Sequence, residues 1–220
     1  AVGQLGNVIN GSFLLVLGDI YYAPKNLDLM VKQFEAQGGG AVLAVMREPD
    51  LEAMKKNFTV EQGEDGMVRR VVEKPRNPIN DLKGCGIYMF GDEMFDAIRK
   101  TPRTALRDEY EITNSIQILC DDGYPVSVAE VVEWDCNITF ARDLLNANVQ
   151  YLERHNMDNL VHPTAEVHKD AVLERVVVGE GAKILLPVHI RNAVILPDTV
   201  VDRGSRIEEM IISKEEWHQC

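Results

Sequence analysis

Near its start the chain carries the stretch Phe13-Leu14-Leu15-Val16-Leu17-Gly18-Asp19, an unbroken apolar run followed by a glycine and a carboxylate. Such a run is typical of a strand buried on both faces, as in a parallel sheet that helices cover. The run ends at Gly18-Asp19, so Asp19 is predicted to lie just beyond the carboxyl end of the strand. Because ligand sites of open α/β sheets lie at that edge, we expect Asp19 to face a ligand.

The following residues predict the rest of an α/β domain. Asn26 is expected to cap a helix that Gly38-Gly39-Gly40 ends, with one apolar face formed by Leu27, Met30, Val31 and Phe34. Ala41 to Met46 predicts the next buried strand and completes a βαβ unit. Further predicted elements are strands at 58–62 and 67–73 joined by a turn at Glu64-Asp65-Gly66, a strand at 84–90, helices at 92–100 and 112–121, a strand at 125–131 and a helix at 140–154.

From about residue 156 the pattern changes, and aliphatic residues recur every five or six positions. They are Val161, Val167, Leu173, Val178, Ile184, Ile190, Ile195, Val201 and Ile207. A period near six indicates a hexapeptide-repeat parallel β-helix, in which each aliphatic side chain points to the axis of the coil. We therefore predict an α/β domain over residues 1–155 and a β-helix of about three coils over 156–220.

Composition excludes several classes of protein. The net charge of −12 disfavours nucleic-acid binding, which needs clustered Lys and Arg, and an anionic substrate would need a local cation or metal. The four cysteines form no Cys-x-x-Cys pair, which favours a reducing, cytoplasmic location. No apolar run approaches the roughly 20 residues of a membrane helix.

Two short motifs carry candidate chemistry. Asp19, at the end of a strand, is suited to hold Mg²⁺ against phosphate oxygens, although an Asp there also commonly caps the next turn. In Glu73-Lys74-Pro75 the carboxylate can accept from sugar hydroxyls and the ammonium can donate to a phosphate; the alternative is an exposed ion pair at a sheet edge. Each motif alone is weak evidence.

A third candidate is the stretch Trp134-Asp135-Cys136-Asn137-Ile138-Thr139, which precedes the last predicted helix of the first domain. A second oxygen ligand for a metal is expected here, opposite Asp19. The alternative is a helix entry in which Asn137 or Thr139 is the cap.

The order of these segments is more specific than any one of them. The segments of this series are, in order, Phe13 to Asp19, Val72-Glu73-Lys74-Pro75, Gly86-Ile87-Tyr88-Met89-Phe90, Tyr110-Glu111-Ile112-Thr113, the Trp134 segment and the repeats. The series resembles the NDP-sugar pyrophosphorylases, a family that includes glucose-1-phosphate thymidylyl- and uridylyltransferases. The resemblance implies a Rossmann-like domain followed by a left-handed β-helix. It also implies that a sugar 1-phosphate attacks the α-phosphorus of an NTP, with Mg²⁺ bridging the phosphates and pyrophosphate leaving.

Residue by residue, the resemblance makes Asp19 a catalytic residue and metal ligand. Glu73 and Lys74 match the pair that contacts the sugar and its phosphate, Lys74 being also catalytic, and Gly18 and Gly86 match positions beside the substrate. The catalysis implied is positioning and charge neutralisation.

The sequence also departs from the family pattern. A Gly-x-Gly-Thr-Arg-Leu loop does not occur in the 220 residues, so the N-terminal part of the domain is expected to be missing. A family Tyr-Gly is replaced near Asn57-Phe58, and an Asp is replaced by Asn114. The family Trp-x-Asp-x-Gly-Thr is also altered, so the second metal position is Asp135 by charge or Asn137 by position.

Two alternatives follow. A non-catalytic relative that binds sugar nucleotides or regulates a partner subunit would show the same departures. An acyltransferase, the third possibility, would use one of the repeat histidines, His162, His168 or His189, as a base and would bind CoA. In the leading interpretation the protein is a homo-oligomer that acts on an NTP and a sugar 1-phosphate.

Overall fold

The computed structural model describes residues 2–104 and 108–220, and the chain divides into two compact units, Ala1–Asp135 and Cys136–Cys220. After a 3₁₀ helix at Val2–Asn7, the first unit contains β1 (Phe13–Val16), β2 (Ile20–Pro24), α1 (Asp28–Gln37), β3 (Ala41–Arg47), α2 (Leu51–Met54), β4 (Phe58–Gln62), β5 (Val68–Glu73), β6 (Leu82–Phe90), α3 (Glu93–Lys100), α4 (Ile112–Asp121), β7 (Val126–Glu130) and β8 (Val132–Asn137), which runs into the second unit.

The central sheet of this unit is mixed rather than parallel. Its strand order is β5-β4-β6-β3-β7, and β1 pairs with the edge of β6 that it shares with β4. Strands β1 and β3 both run antiparallel to β6, so they are parallel to each other with β6 between them, while β3 and β7 form a parallel pair. The carboxyl ends of β1, β3 and β7 therefore lie at one edge of the sheet.

Alternate residues of β3 contribute to two hydrophobic clusters. Leu43 and Val45 pack in the cluster that contains Ile116 of α4, whereas Val42 and Ala44 pack in the cluster that contains Met30 of α1. Side chains on successive strand residues point to opposite faces, so these clusters lie on the two sides of the sheet. The layers are those of an α/β domain, as predicted.

Strand β1 does not have the predicted burial on both faces. Leu14 and Val16 are 48% and 46% exposed, whereas Phe13 and Leu15 pack against the core. In the part of the chain that the structure describes, β1 has a hydrogen-bonded strand partner on one side, β6. Because aliphatic residues occupy both faces of β1, the sequence alone could not show which face is covered.

The predicted hairpin is confirmed and one helix start is wrong. Strands β4 and β5 pair antiparallel from Phe58 opposite Glu73. Helix α1 follows Leu27 instead of Asn26, with no side-chain cap, and Val31 lies on its exposed face. Tertiary burial of Met30 and Phe34, rather than a cap, holds this helix in place.

The second unit begins with the last residues of β8 and continues with α5 (Ala141–Arg154), β9 (Leu160–Val161), β10 (Glu166–Val167), β11 (Val172–Val178), β12 (Lys183–Ile184), β13 (His189–Ile195), β14 (Val200–Val201), β15 (Arg206–Ile212) and β16 (Trp217–Gln219). Its parallel ladder aligns Val161 with Val178 and Val178 with Ile195, a spacing of 17 residues per coil. The predicted parallel β-helix is thus confirmed, and its handedness stays a prediction.

Most of the predicted aliphatic residues form the solenoid core. Val178, Ile184, Ile190, Ile195, Val201 and Ile207 are buried. Val161 and Val167 were expected to point inward but are 38% and 36% exposed. They belong to the first coil, which among the described residues has a neighbouring coil on one side.

Candidate functional site

The chain just after β1 is hydrogen-bonded to β6 at Gly86. The Leu17 amide donates to the Gly86 carbonyl at 3.0 Å. The Tyr22 hydroxyl lies within hydrogen-bonding distance of the carbonyls of Gly86 (3.2 Å) and Leu17 (3.3 Å). Gly18 and Asp19 follow directly and are exposed, so the structure places them at the sheet edge beside Gly86.

Gly86 has a packing role that the sequence did not reveal. Its φ is +70°, and a Cβ there would lie 2.9 Å from Leu17 Cδ1 and 3.0 Å from both Ile20 Cδ1 and Tyr22 Oη. The lack of a side chain therefore lets the turn that carries Asp19 approach β6. The predicted contact of Gly86 with a sugar stays a prediction.

Glu73 and Lys74 lie at the end of β5. The Glu73 charge is close enough to the Tyr88 hydroxyl to help raise its pKa, although burial contributes most to that rise. Lys74 is exposed, and its amide donates to the Asn57 carbonyl at 2.8 Å. Its φ of 46° is unusual for a residue with a side chain and costs of order 1 kcal/mol. Backbone strain of this kind is often found at functional sites.

Asp135 forms an ion pair that none of the sequence motifs indicates. Lys83 of β6 places its Nζ 2.5 Å from Asp135 Oδ1 and 3.8 Å from Glu48 Oε2, and the Lys83 and Asp135 side chains are both 7% exposed. A lysine within the otherwise uncharged strand Leu82–Phe90 was the available signal, because a buried ammonium needs a partner.

Tyr22 and Cys85 connect the two candidate aspartates. Burial raises the pKa of the Tyr22 hydroxyl, and the charges of Asp135 and Asp19 raise it further. Burial also raises the pKa of the Cys85 thiol, and the nearby Asp135 charge raises it further. Both groups therefore stay protonated at neutral pH. Asp19, in the turn after β1, and Asp135, in β8, both influence the same tyrosine.

The remaining candidates lie in the second unit. Asn137 is exposed at the end of β8. Neither Asn137 nor Thr139 provides the side-chain cap of α5, because the Asp143 carboxylate accepts from the amides of Thr139 (3.1 Å) and Phe140 (2.8 Å).

The repeat histidines make local contacts within the solenoid. His162 bonds Thr164 Oγ1 at 2.9 Å, His168 accepts from the Asp170 amide at 3.2 Å, and His189 bonds Glu174 at 3.0 Å. Pairing of this kind supports the coil and gives no evidence for a catalytic base.

Comparisons with known proteins agree with this architecture. The nucleotidyl transferase family model matches residues 1–154, and a model of the GMPPB C-terminal domain matches residues 156–217. The first match covers most of the chain. The chain belongs to the nucleotidyl transferase family. The family predicted from the order of the sequence motifs is therefore confirmed.

Individual relatives of this nucleotidyl transferase family member are also named as nucleotidyltransferases. Over 92% of the chain it is 27% identical to the low-salt glycan biosynthesis nucleotidyltransferase Agl11 of Haloferax volcanii, of which it covers 64%. Over 81% of the chain it is 33% identical to a glucose-1-phosphate thymidylyltransferase of Mycobacterium tuberculosis, of which it covers 53%. The chain thus spans about half to two thirds of the length of these relatives.

A solved structure shares the fold. A UDP-glucose pyrophosphorylase complexed with UDP-glucose superposes with a TM-score of 0.57 at 16% identity, over 69% of this chain and 60% of the other. Among the described residues, no helix of this nucleotidyl transferase family member is long and apolar enough to span a membrane.

Proposed function

We propose that the protein transfers a nucleoside monophosphate from an NTP to a hexose 1-phosphate and releases pyrophosphate. The observation that supports this most is the hydrogen bonding between the end of β1 and Gly86, which holds an exposed carboxylate, Asp19, at the edge of the sheet where open α/β domains commonly bind ligands. The family match and the names of the relatives point to the same reaction class.

The reaction needs charge neutralisation more than covalent chemistry. An oxygen of the sugar phosphate forms a bond to the α-phosphorus, the bond from that phosphorus to the oxygen bridging to the β-phosphate breaks, and pyrophosphate carries away the electron pair. The Lys74 ammonium is exposed beside Glu73, where it would offset phosphate charge while the Glu73 carboxylate accepts from a sugar hydroxyl.

The described residues are compatible with a Mg²⁺ ion that is bound partly by the protein and partly by the phosphates of the substrate. They contain no group of three or more His, Cys, Asp or Glu side chains arranged around a common point. Mg²⁺ is commonly bound by one or two carboxylates together with phosphate oxygens and water. The exposed Asp19 suits that mode, and the ion, when bound, would neutralise the charge on the phosphates.

Pyrophosphate release tests the proposal. The native N-terminus is first determined by mass spectrometry, and the protein in that form is incubated with each NTP and several sugar 1-phosphates, with and without Mg²⁺. We expect Mg²⁺-dependent release that Asp19→Ala abolishes and that the exposed control Asp92→Ala leaves unchanged. No release from any pair would reject the enzymatic proposal, and activity in Asp19→Ala would reject the metal assignment.

The second candidate is a non-catalytic relative. It is favoured by a departure inside the chain, Asn137 in the segment where the resemblance implies a metal-binding carboxylate. Such a protein would bind a sugar nucleotide in calorimetry without releasing pyrophosphate. The candidate fails if turnover is found.

Self-association and a cytoplasmic location are parts of the same proposal. The four cysteines carry free thiols, which is consistent with a reducing compartment. Sedimentation velocity over a concentration range tests self-association. A monomer at all concentrations would contradict it.

A further inference from the structure

The pair formed by Lys83 and Asp135 is unusual because both charges are taken from water. By contrast, Lys55 and Glu52, an exposed ion pair of the same unit, keep 41% and 74% of their side chains in solvent. A buried charge without a partner is strongly unfavourable, so each member of the Lys83–Asp135 pair requires the other.

The Asp135 carboxylate is already occupied by a buried cation. Its Oδ1 accepts from Lys83 at 2.5 Å. A metal ion bound to Asp135 would place a second cation next to the Lys83 ammonium. Glu48, 3.8 Å from that ammonium, adds one further negative charge to the cluster.

We infer that Asp135 is committed to Lys83 as an internal ion pair that positions β8 against β6, and that it is not a ligand of the metal. The metal part of this inference rests on the proposed function, in which Asp19 is then the carboxylate that binds the ion in the first unit. The ion-pair part stands on the contacts alone.

A double-mutant cycle tests the ion pair. The variants are Lys83→Met, Asp135→Asn and the double variant, each close in size to the residue replaced, and the matched control cycle uses Lys55→Met and Glu52→Gln. We expect each single variant at the buried pair to lower the urea midpoint clearly, and the double variant to lose less than the sum of the two single losses. The control cycle should show additive, small losses. Additive losses at the buried pair would overturn the inference.

Metal binding tests the second part, with Mn²⁺ and inorganic pyrophosphate as the probe and proton relaxation as the readout. Asp19→Asn should weaken binding about tenfold or more, and Asp135→Asn should change it by less than about twofold. The Lys83→Met/Asp135→Asn double variant, which leaves no unpaired charge, should bind like the wild type. Tenfold weaker binding in both Asp135 variants, with circular dichroism unchanged, would make Asp135 a ligand and overturn the inference.

The two proposals fail separately. If the wild type binds no Mn²⁺, the metal assignment of the proposed function fails while the urea cycle still decides whether the ion pair exists. If the urea cycle shows no coupling while Mn²⁺ binds through Asp19, the inference fails and the proposed function stands.

Discussion

Replacing Gly86 by alanine should destabilise the first unit strongly, for two reasons that can be measured apart. The φ of +70° costs a residue with a Cβ about 1–2 kcal/mol. The new methyl group would also lie 2.9 Å from Leu17 Cδ1 and 3.0 Å from Ile20 Cδ1 and Tyr22 Oη. Overpacking of this kind typically costs about 1–3 kcal/mol. Together the two effects predict a loss of about 2–5 kcal/mol in the free energy of unfolding.

The assay must report on the first unit alone. The two tryptophans lie one in each unit, at Trp134 and Trp217, so in a Trp217→Phe background the fluorescence follows the first unit. For a unit of this size the predicted loss corresponds to a fall in Tm of roughly 8–20 °C. Urea unfolding in the same background gives the free energy directly.

Two control variants separate the contributions. Gly66 has a φ of +78°, and a Cβ at this position would have no neighbouring atom within 4 Å, so Gly66→Ala measures the backbone cost alone. At Gly84 a Cβ would lie 1.9 Å from Phe58 Cζ, and since no positive φ occurs there, Gly84→Ala measures crowding without backbone strain. If Gly86→Ala were no more destabilising than Gly66→Ala, the close approach of the Asp19 turn to β6 would be refuted.

Three further predictions concern other parts of the chain. Trp217→Ala should lower the free energy of unfolding of the second unit by about 2 kcal/mol, measured by circular dichroism in urea, because the ring packs against the solenoid core; a loss under about 0.5 kcal/mol would contradict this packing. Leu15→Ala should cost about 2 kcal/mol and Leu14→Ala under about 0.5 kcal/mol, since Leu15 packs against the core and Leu14 is 48% exposed; equal losses would contradict the one-sided burial of β1. Finally, burial raises the pKa of the Cys85 thiol and takes that of Cys120 from 9.0 to about 11. The unfolded state therefore loses these protons first, so stability should be full below about pH 9 and should fall as the pH rises toward 11, less steeply in Cys120→Ala. A Tm that stays constant over this range would refute it.

The sequence predicted best where local chemistry determines the structure. The hairpin β4–β5 follows from the turn at Glu64-Asp65-Gly66, and α4 occupies the predicted residues Ile112–Asp121. The parallel ladder follows from aliphatic spacing, because each coil repeats the same inward positions. The predicted burial of β1 on both faces and the predicted start of α1 were wrong, because both depend on which surfaces other elements cover.

The candidate site was predictable only in part. The order of motifs along the chain selected Asp19, Glu73 and Gly86 as candidates, because the order does not depend on side-chain contacts, and their binding roles stay predictions. The pairing of Asp135 with Lys83 joins residues 52 positions apart and has no periodicity that could indicate it. A charged residue in a buried strand shows that a partner exists, but only the folded chain shows which carboxylate that partner is.

The solenoid shows how far tertiary structure overrides local preference. Arg175, Asn192 and Glu209 follow one another at the spacing of 17 residues and have φ of 55°, 46° and 49°. Asparagine tolerates this left-handed conformation, whereas arginine and glutamate disfavour it by about 1–2 kcal/mol. The three residues share a conformation because β11, β13 and β15 pair in register on both sides of them. The strand pairing therefore imposes the left-handed conformation at these positions. The aliphatic repeat that specifies the pairing determines a backbone conformation that Arg175 and Glu209 do not favour by themselves.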